Sequence, residues 1–147
     1  MKAIQDKFIG AWNLVHWNVQ TADGQHYNYP YGENAKGSII YTQAGRMSAQ
    51  LMRRDRPNFK IPHSWKGTVE ETKTAFQGYT AYSGIFKIVE NTVVHQVDMS
   101  VFPNWIGTDL VRNYEFQKEG NHLLLSTTPF ETRKGDLVKQ VLLWERL

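Results

Sequence analysis

Gly37-Ser38-Ile39-Ile40-Tyr41-Thr42, Gln43-Ala44-Gly45, Arg46-Met47-Ser48-Ala49-Gln50-Leu51-Met52: two β-prone runs flank a three-residue break that ends in glycine. A short break containing glycine between such runs is the signature of a β-hairpin. The second run alternates. Met47, Ala49 and Leu51 share one face; Ser48, Gln50 and Met52 share the other. A period of two means one face turns to a core and the other away from it.

The same grammar extends in both directions. Upstream, Trp12 to Val19 alternates, Ala22-Asp23-Gly24 turns, and His26 to Tyr31 reads as a short strand ended by Pro30. Downstream, Ser83 to Val89, Thr92 to Phe102, Asp109 to Gln117, Asn121 to Thr127 and Leu137 to Arg146 read as strands. Glu90-Asn91, Glu119-Gly120 and Lys134-Gly135-Asp136 are turns between them. Residues 2–9 suit a short helix that Gly10 ends. Residues 53–66, with Pro57 and Pro62, are an irregular excursion. Over 68–79 the period changes: Val69, Thr72, Ala75, Phe76 and Tyr79 fall at helical spacing, with Glu70 and Glu71 in the first turn, where the helix dipole favours them. The expectation is an all-β, closed, antiparallel up-and-down β-barrel of 8–9 strands with one short inserted helix near 68–79. A β-sandwich is the alternative for the same strand spacing.

Composition narrows the class. The 147 residues suit one domain, 1–147. Cysteine is absent, which excludes disulfides, thiolate metal sites and thiol nucleophiles. Residues 1–9 do not resemble a secretory signal and no apolar run approaches a membrane span, so the expected location is cytoplasmic. Seventeen basic residues against fourteen acidic give +3. The excess is spread along the chain apart from Arg53, Arg54 and Arg56 around Asp55, so no nucleic-acid stripe is present. There is no Gly-rich phosphate loop and no nucleophile elbow, and His16, His26, His63, His95 and His122 are scattered. No metal and no cofactor is expected. Five Trp, seven Tyr and seven Phe suit strands and the walls of a ligand pocket.

Gly10-Ala11-Trp12 at the head of the first strand matches the Gly-x-Trp signature of lipocalins. The hairpin above, Arg54-Asp55-Arg56-Pro57, Tyr79-Thr80-Ala81-Tyr82-Ser83-Gly84, the stretch from His95 through Val101-Phe102-Pro103-Asn104-Trp105-Ile106-Gly107 to Arg112, and Leu143-Trp144-Glu145-Arg146 extend the likeness over nearly the whole chain. The chain resembles the bacterial and fungal lipocalin-like domain family. That resemblance implies a closed barrel. It also implies that Trp12 closes one barrel end beneath an arginine from a late strand, Arg146 or Arg112. Relatives of this broader barrel class range from carriers to cofactor-free cyclases and isomerases, so fold does not choose between them.

Several side chains are candidates for a site. Arg112 belongs to the row Leu110, Arg112, Tyr114, Phe116, and period two turns it inward. A buried guanidinium needs a partner: Asp98, Glu115, a tryptophan face, or an oxygen of a ligand. His95 shares a row with Val97, Met99 and Val101, and a histidine on a pocket wall is a candidate acid or base. The reverse face would instead bring Gln96, Asp98 and Ser100 inside. Ser48 and Gln50 suit either a polar cavity wall or a solvated face. Tyr79 and Tyr82 flank a strand, and Trp105 sits in a constrained loop that suits a lid as well as plain packing.

Three functions compete. The first is a carrier or sensor of a small, largely apolar molecule; it requires an internal cavity of roughly 300 Å³ or more. The second is a cofactor-free isomerase or cyclase, which needs an unengaged acid or base among His95, Asp98, Tyr79 and Tyr82. The third is a structural module that pairs into a homodimer without ligand.

Overall fold

The computed structural model describes residues 2–147. In chain order the elements are α1 (Lys2–Phe8), β1 (Gly10–Thr21), β2 (His26–Asn28), β3 (Lys36–Tyr41), β4 (Arg46–Met52), α2 (Val69–Gln77), β5 (Tyr79–Val89), β6 (Thr92–Ser100), β7 (Asp109–Gln117), β8 (His122–Ser126), β9 (Phe130–Glu131) and β10 (Leu137–Arg146). The antiparallel sheet runs β1-β3-β4-β5-β6-β7-β8-β10, and β10 pairs back onto β1. That last pairing closes an eight-stranded barrel and rules out the sandwich. The short strands β2 and β9 extend from β1 and β10 outside the ring.

Alternation decides what lies inside. Ile39 and Tyr41 of β3, Met47, Ala49 and Leu51 of β4, and Tyr82 and Phe86 of β5 are all buried. Their odd-numbered or even-numbered neighbours face out, as the pleat demands. Burying each large apolar side chain contributes about 1.5–3 kcal/mol.

Two irregularities break the alternation. A bulge between Leu14 and His16 shifts the parity of β1, so Trp12 and Leu14 join the core before it and Trp17 after it. Such an insertion reverses which residues face inward. A second shift, between Ser83 and Gly84, brings β5 close against β6. A Cβ on Gly84 would lie 1.8 Å from the Gln96 carbonyl oxygen, so only glycine fits.

Helix α1 plugs one end. Phe8 is fully buried, its ring 4.9 Å from that of Phe116, 5.1 Å from Tyr114 and 5.3 Å from Tyr41. Arg146 holds the plug in place. It donates from Nη1 to the Ile9 carbonyl at 2.9 Å and from Nη2 to the Lys7 carbonyl at 2.7 Å.

At the other end sits α2. Thr68 Oγ1 accepts from the Glu71 amide and the Glu71 carboxylate accepts from the Thr68 amide, a complete capping box. The expected apolar side of this helix does not seat in the core. Val69 is 87% exposed, and no residue of α2 is buried. Phe76 instead lines an outer groove. Other boundaries also move. The second strand shrinks to His26–Asn28, β5 begins at Tyr79 directly after α2, and β6 ends at Ser100.

Candidate ligand-binding site

Between the plugged end and the α2 end the barrel encloses a cavity of about 210 Å³. This is smaller than the expected 300 Å³, because bulky aromatic groups occupy much of the interior. Ile39, Ala49, Leu51, Leu125 and Leu142 give it apolar walls, and Trp17, Trp105 and Trp144 give it aromatic ones. Five polar side chains interrupt them: Thr80, Tyr82, His95, Arg112 and Gln140. Apolar walls with a few convergent polar groups are the usual make-up of a small-molecule site.

Trp105 lines both this cavity and an outer groove. It ends the 3-10 turn Pro103–Trp105, and its ring meets those of Tyr82 and Phe102 edge-on, each at 5.5 Å. A groove of about 270 Å³ lies on its outer side, lined by Tyr31, Phe76, Tyr79, Thr80 and Phe102 among others. Groove and cavity share only Thr80 and Trp105. The Tyr31 and Thr80 hydroxyls are hydrogen-bonded at 2.6 Å beside this passage.

His95 faces inward, 1% exposed, and is held from both sides. Tyr41 Oη lies 2.8 Å from its Nε2, and Tyr82 Oη lies 2.9 Å from its Nδ1. Burial, aided by the Arg112 charge, pushes its pKa down to about 3. The imidazole is neutral at ordinary pH, with one donor nitrogen and one acceptor nitrogen. Burial also raises both tyrosines, well above the usual value for Tyr41, with Arg112 partly opposing it.

Arg112 lines the cavity, as its row predicts. Neither expected acid meets it. Asp98 is on the outer wall in a bidentate pair with Arg46, at 2.6 and 3.0 Å, and Glu115 also faces outward. Among the described residues Arg112 has no carboxylate partner; it donates from Nη1 to the Val111 carbonyl at 3.1 Å.

Other candidates fall elsewhere. Ser48 and Gln50 are on the outer wall, with Met47, Ala49 and Leu51 taking the interior of β4. Gln50 accepts a hydrogen bond from the Tyr79 hydroxyl there, and the Tyr79 ring sits beneath Arg56 at 5.1 Å. Tyr79 thus does not line the cavity. The His95 row faces in through Val97, but Met99 and Val101, at 58% and 42% exposure, do not continue it past the shift. Trp12 and Arg146 meet at the plugged end: the guanidinium carbon is 4.2 Å from the ring centre, and Trp12 Nε1 donates to the Phe8 carbonyl at 2.9 Å.

The sequence reading missed Trp17, Tyr41, Gln140 and Trp144. Period two along β10 from Trp144 through Leu142 to Gln140 was available as a signal, as was the Ile39 and Tyr41 pair of β3. Trp17 was hidden by the bulge. Trp17 Nε1 donates to Gln140 Oε1 at 2.9 Å. Trp144 is 1% exposed, and its Nε1 has no hydrogen-bond acceptor.

A model of the lipocalin-like domain matches residues 9–147. The chain belongs to the lipocalin-like domain family. The 4'-hydroxy-3'-methoxypropiophenone carrier protein of Aspergillus oryzae (strain ATCC 42149 / RIB 40) is 38% identical over 109 residues, which cover 69% of this chain and 96% of that relative. No solved structure matches. Among the described residues no helix is long and apolar enough to cross a membrane.

Proposed function

We propose that this lipocalin-like protein carries a small aromatic molecule, one ring in size, inside its barrel. The observation that carries the reading is the 210 Å³ cavity itself, with apolar walls and the unsatisfied Trp144 N–H on its lining. An apolar cavity of roughly 150 Å³ accepts benzene, so this one suits a single ring with short substituents. The relative named as a carrier of a substituted propiophenone supports the same size and chemistry. An isomerase or cyclase reading loses three of the four groups it needed: His95 is held between Tyr41 and Tyr82, Asp98 bonds Arg46, and Tyr79 bonds Gln50.

Tryptophan fluorescence tests the proposal, because Trp17, Trp105 and Trp144 all line the cavity. Titration with 4'-hydroxy-3'-methoxypropiophenone is expected to quench emission saturably with one equivalent bound. Absence of saturable binding, together with native mass spectra showing no retained small molecule, overturns it.

A further inference from the structure

The polar groups on the cavity wall can be followed proton by proton. Tyr41 is 1% exposed, and among the described residues His95 is its one hydrogen-bond partner. Were His95 Nε2 to carry the proton, the Tyr41 O–H would be left buried without an acceptor, at a cost of about 1–3 kcal/mol. The favoured arrangement therefore has Tyr41 donating to Nε2 and Nδ1–H donating to Tyr82 Oη. Tyr82 accepts, and its own O–H is left over. Tyr82 lines the cavity; Tyr41 does not.

The other polar groups repeat this bias. Trp144 Nε1–H has no acceptor. Gln140 Oε1 accepts from Trp17, and among the described residues its amide N–H groups have no acceptor. Arg112 carries five N–H donors, of which one has a protein acceptor on its own strand. Among the described residues no carboxylate lines the cavity. From β5, β7 and β10 the lining thus offers donors, and one of them is a cation without a counter-charge.

We propose that this cavity selects a ring bearing oxygen acceptors and holds it as an oxyanion, with Arg112, Tyr82 and Trp144 as its donors. The inference rests on the carrier reading and deepens it by assigning ligand charge. An unpaired guanidinium in a mostly apolar cavity favours an anion strongly, because charges attract more in low dielectric, and hydrogen bonds to an ionised acceptor are the stronger kind. A phenol conjugated to a ring acyl group is an apt occupant, since conjugation stabilises its phenolate.

The test uses two probes of nearly equal size, para-hydroxyacetophenone, which ionises, and acetophenone, which does not. The protein's own groups around the cavity hold their charge between about pH 6 and 9. His95 on β6 stays neutral, its pKa being about 3. Tyr41 on β3 and Tyr82 on β5 are both raised, and Arg112 on β7 stays charged. Any pH dependence in that window then belongs to the ligand. The phenolate absorption band of bound para-hydroxyacetophenone is expected at a pH about one unit or more below its free midpoint, a tenfold gain in ionisation. Above that midpoint it is expected to bind at least tenfold more tightly than acetophenone. In Arg112→Met the displacement of the midpoint is expected to vanish, with the thermal transition retained as a check on folding. Equal, pH-independent binding of both probes overturns the oxyanion inference and leaves the carrier reading standing. Binding of neither probe counts against both.

Discussion

The Arg146 guanidinium lies over the Trp12 ring, 4.2 Å from its centre, and β1 and β10 set these two residues directly opposite each other in register. The contact ties the closing seam of the barrel to its plug, because the same guanidinium also donates to the carbonyls that end α1. Arg146→Met keeps the aliphatic stem and removes the charge. The cation–π contact and two charge-assisted hydrogen bonds together predict a loss of about 2–3 kcal/mol. Urea unfolding checks it; an unchanged midpoint would contradict the seam's dependence on Arg146.

His95 makes the fold sensitive to acid. Its folded-state pKa of about 3 lies below the ordinary histidine value, so the unfolded chain takes up that proton first as pH falls. The stability contributed by the neutral imidazole is whole above about pH 6.5. It declines by roughly 1.4 kcal/mol per pH unit from there toward pH 3. Unfolding free energies at pH 7 and pH 5 are expected to differ accordingly, and His95→Gln is expected to flatten the slope in that interval.

Trp105 separates the outer groove from the cavity. Trp105→Ala removes the indole shared by both and is expected to raise the dissociation rate of a bound aryl ketone tenfold or more, by stopped-flow fluorescence of the remaining tryptophans. An unaltered rate places the entry route elsewhere.

Ala49 is buried on the cavity wall. Ala49→Leu pushes three carbons into existing space, so its stability cost is expected to stay below the usual 1–3 kcal/mol of overpacking. Affinity for a one-ring ligand is expected to fall at least tenfold by isothermal titration. Retained affinity would move the ligand out of this cavity.

Gly84 admits no side chain, since the Gln96 carbonyl oxygen stands 1.8 Å from where a Cβ would be. Gly84→Ala must part β5 from β6. The expected loss is on the order of 3 kcal/mol or more, among the largest for a single methyl group. Thermal unfolding is the measurement.

The barrel was legible because most strands alternate without interruption. Arg46–Met52 carries its alternation in plain view but not which face turns inward; the structure gives the interior to Met47, Ala49 and Leu51. The inserted helix was legible from the helical spacing of Val69, Thr72, Ala75 and Phe76 and from Glu70 and Glu71 in its first turn; the capping box between Thr68 and Glu71 was not read. What resisted reading were departures from the period. The extra residue at the β1 bulge hides Trp17, and the shift at Gly84 sends Met99 outward although its row says inward. The polarity of the site was hidden for another reason. That Arg112 lines the interior follows from alternation plus hydrophobicity, but the direction of a tyrosine's proton depends on which partner it meets across the ring. Tyr41, Tyr82 and His95 come from three strands, and no local pattern announces that they bond.

The seam between β1 and β10 also sets the order in which the barrel can be built. Trp12 pairs with Arg146, and Thr21 with Val138, so ring closure joins segments far apart in the chain. Folds governed by such distant contacts assemble slowly. During synthesis β10 leaves the ribosome after every other strand of the ring. Until then β1 and β8 are open sheet edges, and the interior is wet. A nascent chain stalled before Leu137 would be a curled sheet with two sticky borders. It would have no pocket to fill, and chaperone dependence is expected to be greatest in that interval.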